Sequence, residues 1–218
     1  MTKIKFGTDG WRAIIAEDYT VENVIRVATG TANWLKKNNG KQVVVGHDCR
    51  FAGQMFAEAT ARALGAQGIK VVLAKGFVST PMVSLGVVKA GADLGVVITA
   101  SHNPPSYNGY KLKSKLGGPT IPSEVQEVED LIPEKAPSQL PALAEMEAKG
   151  LLVYADLEEM YTRHVEEHFD MDTIRKSNIG IGYDAMYGAG QRAMTRLLPK
   201  SVRLHCDDNP GFKGQAPE

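Results

Sequence analysis

Three short apolar runs, each followed by a polar loop or a helical pattern, constrain this chain more than any other feature. They are Lys41-Gln-Val-Val-Val-Gly46, Ile69-Lys-Val-Val-Leu-Ala74 and Leu94-Gly-Val-Val-Ile-Thr99. Each has the length of one strand and little alternation, which is the pattern of a strand buried on both faces. Phe51 to Gly65, between the first two, reads as an alanine-rich helix with Phe51, Met55, Ala59 and Ala63 on one stripe. Pro81 to Lys89 suits a helix with proline in its first turn. An earlier helix, Val21 to Lys37, opens after Thr20, a good N-cap residue. Strand–helix–strand order with short links predicts an α/β fold: a mixed, mostly parallel sheet covered by helices.

After Lys115 the grammar changes. Gly117 to Pro122 is a turn-rich break, Ser123 to Ile132 reads as a short acidic helix with a serine cap, and Pro133 to Pro141 reads as a proline-rich surface excursion. A second unit is expected from near Ala155. Its first helix places Leu157, Met160, Tyr161, Val165 and Phe169 on one face, and a strand follows at Ile179–Tyr183. A glycine turn at Tyr187–Gly190, a helix ending near Leu198 and a strand at Ser201–His205 complete it. The division expected is residues 1–150, one complete unit, and residues 151–218, a partial second α/β unit with too few strands to close.

Lys and Arg total 25, and so do Asp and Glu. A balanced chain offers no field to recruit nucleic acid or an anionic membrane, so neither partner is expected. No apolar stretch approaches the roughly 18 residues of a membrane span, and the N-terminus lacks a signal-peptide core. Cys49 and Cys206 lie far apart without metal-site spacing, which suits two reduced thiols in a cytoplasmic protein.

The densest polar cluster is Thr99-Ala-Ser-His-Asn-Pro-Pro-Ser-Tyr-Asn-Gly-Tyr-Lys111, directly after the third apolar strand. Ligands of open parallel sheets bind beyond the carboxyl ends of strands, where Ser101 falls. Its hydroxyl, the His102 imidazole and the Lys111 amine offer a phosphoryl acceptor, a proton carrier and a cationic clamp. The bland alternative is a polar loop with no chemistry.

This string resembles the phosphoserine signature of the α-D-phosphohexomutases, the phosphoglucomutase and phosphomannomutase family. Phe6-Gly-Thr-Asp-Gly-Trp-Arg12, Val45-Gly-His-Asp-Cys-Arg50, Thr80-Pro81 and Asp184-Ala-Met-Tyr-Gly-Ala-Gly190 are similar to further landmarks of that family, in the same order. Trp11 and the Pro104–Lys111 stretch look more like the glucose/mannose branch than the glucosamine branch. The resemblance implies a first domain carrying the serine loop, followed by the start of a second. It implies an enzyme that moves a phosphoryl group between C1 and C6 of a hexose through a hexose 1,6-bisphosphate, with Ser101 as the phosphoserine. It implies Arg12, His102 and Lys111 as the residues of charge stabilisation and proton transfer. It also implies Mg2+, bound by a phosphate oxygen on Ser101 and by three aspartates of a D-G-D-x-D-R loop. That loop is not in this sequence, so the chain is expected to be an N-terminal portion, unable to turn over substrate alone.

Other readings stay open. His164-Val-Glu-Glu-His168 fits H-x-x-E-H, so His164, Glu167 and His168 form an alternative zinc or inverzincin-type site; the plainer reading is two half-buried packing histidines. Lys111, Lys113 and Lys115 have period-two spacing: Lys111 is read as functional, the other two as charged protection of a sheet edge. Gly188 and Gly190, with Ala193 and the acids Asp207 and Asp208, faintly suggest a dinucleotide loop. Thr8, Asp9 and Gly10 are read as the turn presenting Arg12, and Asp48 with Arg50 as a pair within the fold. A non-catalytic phosphate-binding module is the remaining alternative.

Overall fold

In the computed structural model, which describes residues 3–8 and 10–217, the apolar runs become neighbouring strands. The first unit runs β1 (Gly10–Ile14), α1 (Val21–Lys37), β2 (Gln42–His47), α2 (Gly53–Ala66), β3 (Lys70–Ala74), α3 (Thr80–Ala90), β4 (Leu94–Ile98) and β5 (Tyr107–Ser114). It continues through α4 (Pro122–Asp130), α5 (Leu143–Ala148) and β6 (Leu152–Ala155). The second comprises α6 (Leu157–His168), α7 (Met171–Lys176), β7 (Gly182–Asp184), α8 (Gln191–Leu197) and β8 (Val202–Leu204).

The strand order is β1-β5-β4-β2-β3-β6. β4, β2, β3 and β6 are parallel, while β5 is antiparallel to both β4 and β1. Every residue of β4 is buried, as its unbroken apolar run demands. Side chains of alternate parity feed two cores. One holds Val24, Phe56, Leu64, Val96, Tyr110 and Met146, beneath α1, α2, α4 and α5. The other holds Val44, Val83, Val87, Val97 and Leu157, beneath α3 and α6. Each such fully buried aliphatic or aromatic side chain stabilises the fold by about 1.5–3 kcal/mol. The chain therefore leaves β2 over one face, through α2, and returns to β4 over the other, through α3. Neighbouring strands whose connections part in this way leave a crevice at their carboxyl ends.

Aromatic side chains brace β1 and β5 against the helices. Trp11 stacks on Tyr19 at 4.7 Å between centroids, and Tyr19 meets Phe56 edge-on at 4.8 Å. The buried Tyr19 hydroxyl donates to the Gly109 carbonyl at 2.7 Å. In the second unit β7 and β8 form a parallel pair. The buried Glu158 of α6 holds α8 by pairing with Arg192 at 2.8 Å and Arg196 at 3.3 Å, and Arg192 also donates to Phe77 O of the first unit at 2.7 Å. Among the described residues, no helix is long and apolar enough to cross a membrane.

Several local expectations need correction. Phe51 precedes α2 and is 62% exposed, and Met55 is 48% exposed. A run of i, i+4 steps drifts around a 3.6-residue helix, and the buried face is Phe56, Thr60, Ala63 and Leu64. The helix at 122–130 starts on Pro122 after Ile121, not on a serine cap. β5 is an interior strand, so Lys113 and Lys115 do not guard a sheet edge. Lys113 lies past the end of β1 and bridges Pro119, and Lys115 follows the strand in an exposed turn. Phe169 ends α6 and is 62% exposed rather than on its packed face. Strands β1 and β6 and helices α5 and α7 were not expected; β6, just past residue 150, is the sixth strand of the first sheet.

Candidate active site

β4 ends at Ile98 and the chain turns sharply to bring Ser101 to its carboxyl end. Ser101 has φ +56, a left-handed conformation uncommon for a residue with a Cβ, and its side chain is exposed. Buried bonds hold it there. The Thr99 N–H donates to Gly109 O at 2.9 Å, and the Asn103 N–H donates to Ala100 O at 3.1 Å. The Ser101 N–H donates to the Thr99 hydroxyl at 3.1 Å, which donates in turn to Asp48 at 2.5 Å. Asp48 is in reach because His47 lies opposite Ile98 in the parallel register of β2 and β4.

Arg50 closes the loop from below. One guanidinium nitrogen donates to Pro104 O at 2.8 Å and Tyr107 O at 3.1 Å; the other donates to Ser101 O at 2.8 Å and Asn103 O at 2.7 Å. Its Nε lies 3.4 Å from Asp48, and the side chain is wholly buried. Carbonyls that a tight loop turns inward need such donors, and the rigid planar fork of arginine supplies them. The expected Asp48–Arg50 pair is therefore present. What the sequence reading missed is its target, the serine loop itself.

The other expected site residues lie around this loop at different depths. His102 adjoins Ser101, with Nδ1 3.4 Å from the serine Oγ. Arg12 stands on β1 opposite Gly109 and donates to Asn103 Oδ1 at 3.0 Å. Gly109 permits this: a Cβ there would sit 2.5 Å from Thr99 O and 3.0 Å from the Arg12 side chain. Lys111 stands on β5 opposite Val97 and Gly10, on the sheet face that Arg12 shares by alternation. It is one two-residue step, roughly 7 Å, further from the loop than Gly109. Of the turn expected before Arg12, Gly7 N–H donates to Gly10 O at 2.7 Å, and Asp9 lies outside the described residues.

Ser101 opens onto a cleft of about 170 Å³. The first unit lines it with Asp48, Cys49, Ser79, Thr80 and Thr99, the second with Gly188, Ala189, Phe212 and Pro217. Two nucleophile types thus face one space. Burial pushes the Cys49 thiol up to about 12, which leaves it protonated and unreactive. The Ser101 side chain is exposed to this space.

The cleft does not fit a magnesium ion. Its one carboxylate, Asp48, is already bonded to Thr99 and paired with Arg50. Among the described residues the only grouping of three metal-ligating side chains is His164, Glu167 and His168, on α6. Nor does the Gly188/Gly190 turn need a dinucleotide to explain it. The Tyr183 hydroxyl packs against Gly190 where a Cβ would stand, and Gly188 lines the Ser101 cleft.

Residues 3–139 match the family domain described as phosphoglucomutase/phosphomannomutase, alpha/beta/alpha domain I. Over 98% of its length the chain is 38% identical to a probable phosphoglucosamine mutase of Methanosphaera stadtmanae, covering 46% of that protein. It is 31% identical, again over 98% of its length, to a phosphoglucomutase/phosphomannomutase of Thermococcus kodakarensis, covering 47% of it. A solved structure from Thermus thermophilus with a provisional phosphomannomutase name superposes on the whole chain with TM-score 0.88 at 34% identity, and the chain covers 49% of it. The chain thus spans about half the length of these relatives.

Proposed function

This chain belongs to the phosphoglucomutase/phosphomannomutase family, and on that premise we propose that it carries the phosphoacceptor half of a phosphohexose mutase site, with Ser101 as the residue phosphorylated. One observation carries the reading. An exposed serine hydroxyl is held in a left-handed turn at the crevice between β2 and β4, and a buried arginine locks that turn.

Ser101 Oγ attacks a phosphorus of a hexose bisphosphate; the new O–P bond forms as the P–O bond to the sugar breaks. The serine proton passes to a base, for which His102 at 3.4 Å is the neighbour, and the departing sugar oxygen takes up a proton. The reverse transfer, to the other hydroxyl of a reoriented hexose monophosphate, completes the isomerisation. A phosphoserine carries about −1.5 to −2 charges, and Arg12 and Lys111 are the cations read as balancing it. Magnesium, implied by the family, finds no donor set at Ser101, so no step is routed through it. The relatives bear glucosamine, glucose and mannose names, so the substrate proposed is a hexose phosphate as a class.

A coupled assay of hexose 1-phosphate and 6-phosphate interconversion, with magnesium and a bisphosphate primer, tests this. The chain alone is expected to match its Ser101→Ala background. Supplying the C-terminal half of a family relative as a second polypeptide should raise conversion for the parent and not for Ser101→Ala. Equal conversion by the two would overturn the assignment.

A further inference from the structure

The His-x-x-Glu-His pattern on α6 has no part in the serine chemistry, and it shares no lining residue with the Ser101 cleft. Positions i, i+3 and i+4 of a helix lie on one face. Here one ring nitrogen from each of His164 and His168 and one Glu167 oxygen lie within 4.8 Å of one another. The two imidazoles stand 3.9 Å apart between centroids, tilted by 45°. We propose that this face of α6 binds one divalent zinc-class ion through His164, Glu167 and His168.

Two features beyond proximity point the same way. The His168 Nδ1 lies 2.8 Å from the His164 carbonyl. A carbonyl accepts, so that nitrogen carries the proton and Nε2 keeps the lone pair a metal needs; backbone carbonyls fix metal-binding histidines in this manner. The His164 Nδ1 is buried without a hydrogen-bond partner, so packing alone leaves this imidazole unsatisfied. The surrounding charges leave Glu167 available. Its neighbour Glu166 is bound to Arg175, and Glu159 pairs with Arg163 and Arg196; Glu167 has no ion-pair partner among the described residues.

The donor set selects the metal. Magnesium and calcium take oxygen ligands, whereas two imidazoles and a carboxylate suit zinc, with a fourth position left to water. Tetrahedral zinc with bonds of about 2.0–2.1 Å needs donors roughly 3.3 Å apart. The present donors lie within 4.8 Å of one another, and the exposed Glu167 carboxylate is the ligand that can turn inward while the His168–His164 bond stays in place.

The test is direct and independent of Ser101. The 218-residue chain, stripped with EDTA, is titrated with Zn2+ against a chromogenic chelator and with Co2+ by visible absorption. The expected result is one ion per chain and the intense absorption of four-coordinate cobalt. His168→Ala and Glu167→Gln lie on exposed positions and should leave the far-ultraviolet dichroism unchanged. Each should weaken zinc binding by more than the about 10–100-fold typical of losing an outer-shell partner. Cys206→Ser should change nothing. Less than one ion per chain, unchanged affinity in His168→Ala, or loss of binding in Cys206→Ser would each overturn the proposal.

Discussion

The Thr99 hydroxyl donates to the Asp48 carboxylate at 2.5 Å across the carboxyl ends of β4 and β2. That bond spans the crevice where the two strands' connections part, and the same Thr99 oxygen accepts the Ser101 N–H. Burial pushes the Asp48 carboxyl above its ordinary value, while the Thr99 hydroxyl and the Arg50 N–H pull it back down. The serine is thus positioned by a buried network reaching into a neighbouring strand, and not only by the prolines of its own loop.

Arg50 is the centre of that network. Arg50→Ala strands the buried Asp48 and four loop carbonyls, and breaking a buried ion pair in this way costs about 3–5 kcal/mol. Urea unfolding should show that loss, and limited proteolysis should become faster within residues 101–107. Arg50→Lys should recover only part, since one ammonium cannot reproduce the fork. A loss below about 1 kcal/mol would mean the loop holds itself.

Ser101 itself is held in an unfavourable backbone conformation, at φ +56. A left-handed residue with a Cβ costs roughly 1–2 kcal/mol, a penalty that glycine escapes. Ser101→Gly should therefore be more stable than Ser101→Ala by about 1 kcal/mol. Both lack the hydroxyl and should be equally inert as phosphoryl acceptors. Equal urea midpoints would show that the turn is unstrained.

The His47 imidazole is 9% exposed, and burial pushes it below its ordinary value. Its bond to the Asp48 carbonyl, at 2.8 Å, pulls the other way but less strongly. In the unfolded chain this histidine takes a proton near pH 6.5; the folded chain resists until lower pH. The group's contribution is therefore fully present above about pH 6.5 and is lost as pH falls through the folded value. The loss for one proton cannot exceed about 1.4 kcal/mol per pH unit. Comparing urea midpoints at pH 7.5 and 5.5, His47→Asn should fall less than the parent. An equal fall in both would remove His47 as the cause.

The central strands and their helices were legible because burial on both faces leaves continuous valine and leucine runs, as at Val43–Val45 and Leu94–Ile98. The site loop was legible because its polar string follows such a run directly. β1 was not, because Gly10-Trp-Arg-Ala-Ile14 mixes a buried aromatic with a functional arginine and has no apolar run. β6 was not, because it is a four-residue edge strand with Val153 and Tyr154 exposed. The role of Arg50 was hidden for another reason. Its partners are backbone carbonyls about 50 residues away, and carbonyls leave no mark in a sequence. The Asp48–Thr99 contact needed the β2–β4 register, which only the fold provides.

Transfer of a phosphoryl group to Ser101 is the central step of the proposed chemistry, and mass spectrometry reads it directly. A single transfer is visible where repeated turnover is not. A step of about 10 s⁻¹ that loses one to two charge contacts, each worth roughly 10²–10³, keeps a half-time between roughly ten seconds and about a day, so incubations of about two days capture it. The chain is incubated with a hexose 1,6-bisphosphate and magnesium, digested, and its phosphopeptides mapped. The predicted result is one phosphoryl group on Ser101 and none in Ser101→Ala. Phosphate on Ser106 or Ser114 with Ser101 bare, or no label at all, would contradict it.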